Sequence, residues 1–172
     1  MPHQIILALL ALSSIAAPIL KYDAPAGWVS KPPASTMRVA EFTLPKVAGD
    51  AEDAALAIYY FGTGQGGTVQ ANLDRWMSQM AQPDGTPSKD VAKTTTLTSR
   101  GLKITVVDVS GTYVAELTPG STERHNKPGF RQLAAVVETT SGPYFVKLTG
   151  PARTIAKWAD SYTTFLKSIR LE

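Results

Sequence analysis

The sequence predicts an α+β fold in one domain, a mainly antiparallel sheet covered by two amphipathic helices. Three observations predict it. Apolar and polar residues alternate with period two in several short segments, as in strands with one buried face. Gly- and Pro-bearing turns too short for crossover helices separate several of those segments, which favours antiparallel pairing. Two other stretches repeat apolar residues every three to four positions, the spacing of a helix with one buried stripe. With 172 residues, 44% hydrophobic and 18% charged, the chain has the size and composition of one domain with a real core, and sheet plus helices make a single sandwich.

The chain begins with an uncharged apolar run, Ile5 to Ala17, that ends in small residues. This is the pattern of a signal-peptide core and cleavage zone. Ser14-Ile15-Ala16 places small side chains where a signal peptidase inspects them, so residues 1–16 are expected to be removed before Ala17-Pro18. The segment before the run carries only His3 as a potential charge, and an uncleaved anchor or a buried N-terminal helix is the alternative. The run has 13 residues, fewer than the ~17–25 that cross a bilayer. The expectation is therefore an exported protein, periplasmic or secreted, with no stable membrane span after cleavage. Because the sequence has no cysteine, it has no thiol for lipid attachment, disulfides or thiolate metal sites.

Residues 17–36 form a Pro/Ala-rich lead-in in which Pro25, Gly27, Pro32 and Pro33 break regular structure, and the domain proper is expected over 37–172. Ala40, Phe42 and Leu44 alternate with Glu41 and Thr43 as a strand closed by Pro45. Asp50, Glu52 and Asp53 lie in a polar turn without calcium-loop spacing and read as solvated. Ala55 to Phe61 is a near-continuous apolar run suited to a central strand. After it, Val69, Leu73, Trp76, Met77 and Met80 form one helical stripe, with Thr68 as N-cap and Pro83-Asp84-Gly85-Thr86-Pro87 as terminator. Strands follow in alternating sets: Leu102, Ile104, Val106; Tyr113, Ala115, Leu117; Leu133, Ala135, Val137; and Tyr144, Val146, Leu148. Ser99-Arg100-Gly101 and Ser141-Gly142-Pro143 punctuate hairpins, and a polar loop spans Thr118 to Gly129. Gly150-Pro151 opens a last helix with Ile155, Trp158, Tyr162, Phe165, Leu166 and Ile169 on one face. Trp76 and Trp158 read as core, while Trp28 either pins the lead-in to the sheet or faces a partner.

Several landmarks together carry a resemblance: Pro25-Ala26-Gly27-Trp28, Met37-Arg38, Tyr60-Phe61-Gly62, Gly66-Gly67, Asn72, Arg75-Trp76, Pro83-Asp84-Gly85, Gly150-Pro151 and the closing Phe165-Leu166-Lys167-Ser168-Ile169. The chain resembles uncharacterised exported bacterial proteins of the PsbP/Mog-like superfamily over about residues 25–171. That resemblance implies an α/β/α sandwich around an antiparallel sheet. It also implies binding or accessory work rather than chemistry, and it transfers no functional residues.

Gly62, Gly64 and Gly67 spell G-x-G-x-x-G between a strand and a helix, the form of a dinucleotide fingerprint. The fingerprint needs a parallel β-α-β unit and an acid ending the next strand about 20 residues on. Here the acid in range, Asp84, sits in a Pro-Gly loop and no alternation of strands and helices follows. The glycines therefore read as a tight connection, and no cofactor is expected. What survives is an anion site at the start of the next helix, built from Gly66, Gly67, Thr68, Asn72 and Arg75.

Other chemistry is sparsely represented. Past the leader, His125 is the only histidine, and Asp108, Ser110 and His125 lack a nucleophile elbow. One histidine and dispersed carboxylates suggest no metal site. Lys and Arg number 17 against 14 acids, a net charge of +3 without a basic stripe, so nucleic acid is not an expected partner. The reading is an exported, non-enzymatic binding or accessory protein of the bacterial envelope whose partner is an envelope protein or a small anion. The alternative is a small enzyme, or an anion-binding protein, with its site at the glycine turn. The enzyme version requires Asn72, Arg75, His125 and Arg131 to converge.

Overall fold

A computed structural model describes residues 19–172; the signal peptide expected at 1–16 lies outside the described residues. In chain order the elements are β1 (Leu20–Lys21), β2 (Val29–Lys31), β3 (Arg38–Leu44), β4 (Ala54–Tyr60), α1 (Val69–Ser78), β5 (Met80–Ala81), α2 (Ser88–Val91), β6 (Lys93–Ser99), β7 (Leu102–Tyr113), β8 (Lys127–Val137), β9 (Tyr144–Pro151), α3 (Ala152–Ser168) and β10 (Arg170–Leu171). Eight strands form one sheet in the order β2-β3-β4-β9-β8-β7-β5, with β6 also on β7. Every pairing is antiparallel. The expected α+β class with a mainly antiparallel sheet is thus the observed one, and helices lie on both faces.

The two faces are filled differently. One buries Phe42, Leu44, Leu56, Ile58, Val146 and Leu148 against Ile155, Tyr162, Phe165 and Leu166 of α3. The N-terminal segment completes that layer, with Trp28 and Tyr22 packing on Phe42 and Phe165. Trp28 therefore pins the lead-in, and its Nε1 donates to Ser161 Oγ at 3.3 Å. The expected irregular lead-in is corrected: β1 pairs with β10 and β2 extends the sheet edge, because Pro25 falls between β1 and β2, and Pro32 and Pro33 fall between β2 and β3. On the other face α1 lays Leu73, Trp76 and Met77 on Val107, Ala134, Val136 and Phe145. Buried Gln132 fastens it there, donating from Nε2 to the Trp76 carbonyl at 3.1 Å.

Three local readings differ from the structure. Met80 is not in the helix: α1 stops at Ser78, and Met80 begins β5 opposite Tyr113. It is still buried, against Val109 and Phe130, and a position three after Met77 suits either a helix stripe or a strand face. Tyr113, Ala115 and Leu117 do not form their own strand. Tyr113 ends β7, and the next residues bond across their own loop through Leu117 N to Glu123 O, His125 N to Ala115 O and a Glu116–Arg124 bridge. The acidic turn is not simply solvated either. Asp50 Oδ2 accepts from Thr154 N at 3.0 Å and Thr154 Oγ1 at 2.6 Å, supplying the cap that Pro151, at the start of α3, has no side chain to provide.

The glycine turn makes the close approach its composition suggested. Gly66 has φ +88°, and a Cβ there would lie 2.6 Å from Phe145 Cε2. Both strands flanking β4 run antiparallel to it, so the glycine turn after β4 does not sit in the parallel β-α-β unit that a dinucleotide site needs.

Candidate ligand-binding cleft

Eight strands at about 4.8 Å spacing make a sheet far wider than one helix. The 10-residue α1 packs over the β7–β9 region, and among the described residues no helix covers the face of β2, β3 and β4 on that side. A cleft of about 610 Å³ opens between α1, β4, β9 and the loop after β7, lined by Met37, Arg38, Tyr59, Phe61, Arg75, Gln79, Tyr113, Arg124, His125, Phe145 and Lys147, among others. It continues into a shallower groove over Thr43, Ala55, Ala57 and Thr149, sharing Arg38, Tyr59, Tyr113 and Lys147 with it.

Each charged group reaches the cleft for a local reason. In β9, Tyr144, Val146 and Leu148 point to the α3 face, so Lys147 between them points to the other. Arg38 would share the α3 face with Ala40 and Phe42 by alternation. Instead the register shifts between Arg38↔Tyr59 and Ala40↔Ile58, a bulge whose extra residue, Val39, is 45% exposed. The bulge turns Arg38 onto Tyr59's face. Its guanidinium lies 5.4 Å from the Tyr59 ring centroid, and Nη1 bonds Glu41 Oε1 at 3.0 Å. Arg75 comes from the last turn of α1, where a cation suits the helix dipole.

Lys147 is the centre of the cluster. Its Nζ donates to Gln79 Oε1 at 2.6 Å, lies 3.4 Å from the Tyr113 hydroxyl and sits 5.3 Å from the Tyr113 ring centroid. Burial, with Arg75 and Arg38 nearby, pushes its pKa down to about 8. Burial also pushes the phenols of Tyr59 and Tyr113 upward, so both stay protonated hydrogen-bond donors. Among the described residues Arg38 has Glu41 and Arg124 has Glu116 as carboxylate partners, whereas Lys147 and Arg75 bond neutral amides. Aromatic rings pair near these cations: Tyr59 stacks parallel to Phe61 at 6.2 Å, and Tyr113 stacks with His125 at 5.1 Å and with Phe130 at 6.1 Å.

Of the five residues expected to hold an anion, Arg75 lines this cleft. Thr68 Oγ1 accepts from Ala71 N as an N-cap. Asn72 is buried and donates to the Gly66 and Thr68 carbonyls at 2.8 Å each, while its Oδ1 accepts from Arg75 Nη2 at 2.7 Å. Gly66, Gly67, Thr68 and Asn72 thus form a braced helix start beside the cleft, and Asn72 fixes the guanidinium of Arg75. His125 joins Arg75 in the cleft, but Arg131 does not. Arg131 makes a two-pronged pair with Asp108 at 2.8 and 2.7 Å, in a separate hollow with Ser110 and Lys93. Asp108 is therefore engaged away from His125. Among the described residues no group of acids and histidines is disposed to hold a metal, and no helix is long and apolar enough to cross a membrane.

Sequence reasoning overlooked Lys147, Arg38, Tyr59 and Tyr113. Lys147 had a usable signal, a single charge inside the apolar run Tyr144-Phe145-Val146-Lys147-Leu148. Arg38 had none, since the bulge that re-aims it depends on pairing with β4.

Neither a family model nor a curated protein matches the sequence. Solved structures match its fold. LpqN of Mycobacterium tuberculosis, described as involved in cell envelope biogenesis, is similar over 93% of this chain and 87% of its own, with TM-score 0.54 and 10% identity. The cyanobacterial PsbP (CyanoP) of Synechocystis sp. PCC 6803 is similar over 95% of this chain and 99% of its own, with TM-score 0.49 and 12% identity. A Pseudomonas aeruginosa protein of unknown function matches over 74% of this chain and 78% of its own, with TM-score 0.46 and 12% identity. The likeness to LpqN is one of fold.

Proposed function

We propose that this chain is an exported accessory protein of the bacterial cell envelope that binds a small anionic ligand in the cleft between α1 and the open face of the sheet. One observation carries the reading: Lys147 and Arg75 face a common cleft and bond neutral groups rather than carboxylates. Arg75 is exposed and Lys147 is partly buried; a desolvated ammonium without a counter-charge is costly, and an anion entering the cleft supplies it. The aromatic lining suits a ligand with an apolar body. Export is supported by the small-residue cleavage pattern at Ser14-Ile15-Ala16, and the envelope setting by the fold shared with LpqN. Of the anion site expected at the glycine turn, this reading keeps Arg75. Gly66, Gly67, Thr68 and Asn72 become the bracing that holds it.

The test is a thermal-shift and NMR titration of residues 17–172 with a panel of small carboxylates and phosphate. Binding is expected to raise Tm, to shift Tyr113 and Lys147 resonances, to weaken with salt and to vanish in Lys147→Met. Anions that perturb no cleft residue would refute the reading. An N-terminus at Ala17 in protein isolated from the native host is the expected result for export.

A further inference from the structure

We propose that Lys147 is a covalent capture site for a small carbonyl compound bearing a carboxylate, an aldehyde acid or a 2-oxo acid, which condenses with the ε-amine to an imine while Arg75 and Arg38 hold its carboxylate. The proposal rests on the anion reading of the cleft and adds a bond to it. An ammonium needed only as a point charge has no use for a phenol at its side or for the removal of water. Lys147 has both in part, the Tyr113 hydroxyl 3.4 Å away and partial burial in a cleft lined by Tyr59, Phe61 and Phe145.

The groups around Lys147 fit the steps of the condensation. Those facing it are Arg38 of β3 with its partner Glu41, Tyr59 of β4, Arg75 of α1, Gln79 after α1, Tyr113 of β7, and Arg124 and His125 of the following loop with Glu116. With its pKa at about 8, roughly one Lys147 in ten is free amine at pH 7, against fewer than about one in a thousand for an ordinary lysine. A lysine flanked by other cations in a desolvated pocket is activated as a nucleophile in this way. The neutral amine keeps one N–H on Gln79 Oε1 and has its lone pair for the carbonyl carbon. The C–N bond forms as the carbonyl π electrons move to oxygen, which takes a proton from the attacking nitrogen by way of Tyr113. The carbinolamine then loses its hydroxyl, protonated by the Tyr113 phenol, as water. The remaining N–H proton returns to Tyr113, leaving C=N. Nothing is oxidised or reduced, and one water is released.

Glyoxylate with cyanoborohydride at pH 7 tests this, because reduction converts the imine to a stable N-carboxymethyl-lysine that peptide mass mapping locates. Lys147 is expected to be trapped at least about tenfold faster than exposed Lys89 or Lys103, and Tyr113→Phe is expected to slow trapping by about tenfold or more. Equal labelling of Lys147 and the exposed lysines overturns the proposal. Glycolate, which has the carboxylate but no carbonyl, separates the two failures. Glycolate binding without preferential trapping defeats the imine alone; no perturbation by either compound defeats the anion reading and the imine with it. Lys147→Arg is expected to retain glycolate binding and lose trapping at this position, and glycolate binding by this variant confirms that it is folded.

Discussion

The two faces of the sheet solve opposite problems. On the α3 face, a 17-residue helix and the N-terminal segment together cover the strands. Phe165 and Ile155 are fully buried there, and the Tyr162 hydroxyl, held within this layer, donates to the Val146 carbonyl at 3.0 Å. On the α1 face the covering helix has 10 residues, and nothing among the described residues replaces it over β3 and β4. There the strands carry Glu41, Tyr59, Lys147 and Thr149 in place of aliphatic residues. One face provides the stability that lets the other hold charges in an unfavourable setting. The difference teaches that the cleft is a consequence of unequal coverage of one sheet.

The comparison breaks most visibly through the closed face. Phe165→Ala removes the ring against which Tyr22, Trp28 and Phe42 pack, and is expected to cost about 3–5 kcal/mol in chemical denaturation. Anion binding to the remaining folded protein should persist. Asp50→Ala is expected to cost about 1–2 kcal/mol by the same measurement, since it removes the cap of α3 and leaves the buried Thr154 hydroxyl without its acceptor.

On the open face the sign reverses. Lys147→Met is expected to raise stability at pH 7 by about 1 kcal/mol, as replacing a residue kept for function commonly does, while abolishing binding. The pH dependence sharpens the point. The folded pKa of Lys147 lies below its unfolded value, so the unfolded chain binds more protons between about pH 8 and the ordinary lysine range. Stability of the parent protein relative to Lys147→Met should therefore rise through that window, which denaturation at pH 7.5 and 9.5 would measure. A parent–variant difference that stays flat, or falls, would remove Lys147 from the centre of the cleft. Taking the difference cancels Tyr162, Tyr59 and Tyr113, whose raised pKa values lower stability above about pH 10 in both proteins.

Much of the fold was legible because its signals are local. Ala40, Phe42 and Leu44 declare a strand by alternation, and Arg100-Gly101, both with positive φ, declare the β6–β7 hairpin. Thr68 marks the start of α1 and caps it as expected. The site was less legible. Arg75 stood out because it lies next to a helix stripe and a glycine turn, and it does line the cleft. Its companions come from β3, β4, β7 and β9, and no spacing along the chain relates them. Even the polar cluster at Asp50 concealed its role, because its partner Thr154 lies 104 residues away.

By itself, then, the sequence determined the strand and helix faces, the turns that make neighbouring strands antiparallel and the absence of thiol chemistry. These follow from periodicity, from backbone demands met within a few residues, and from composition. Tertiary structure alone decided that Met80 joins a strand, that a bulge at Val39 swings Arg38 across the sheet, and that α1 leaves half a face open. Those outcomes depend on pairing register and on which surface a helix covers, free energies summed over residues distant in the chain. The Lys147 cleft belongs to the second kind.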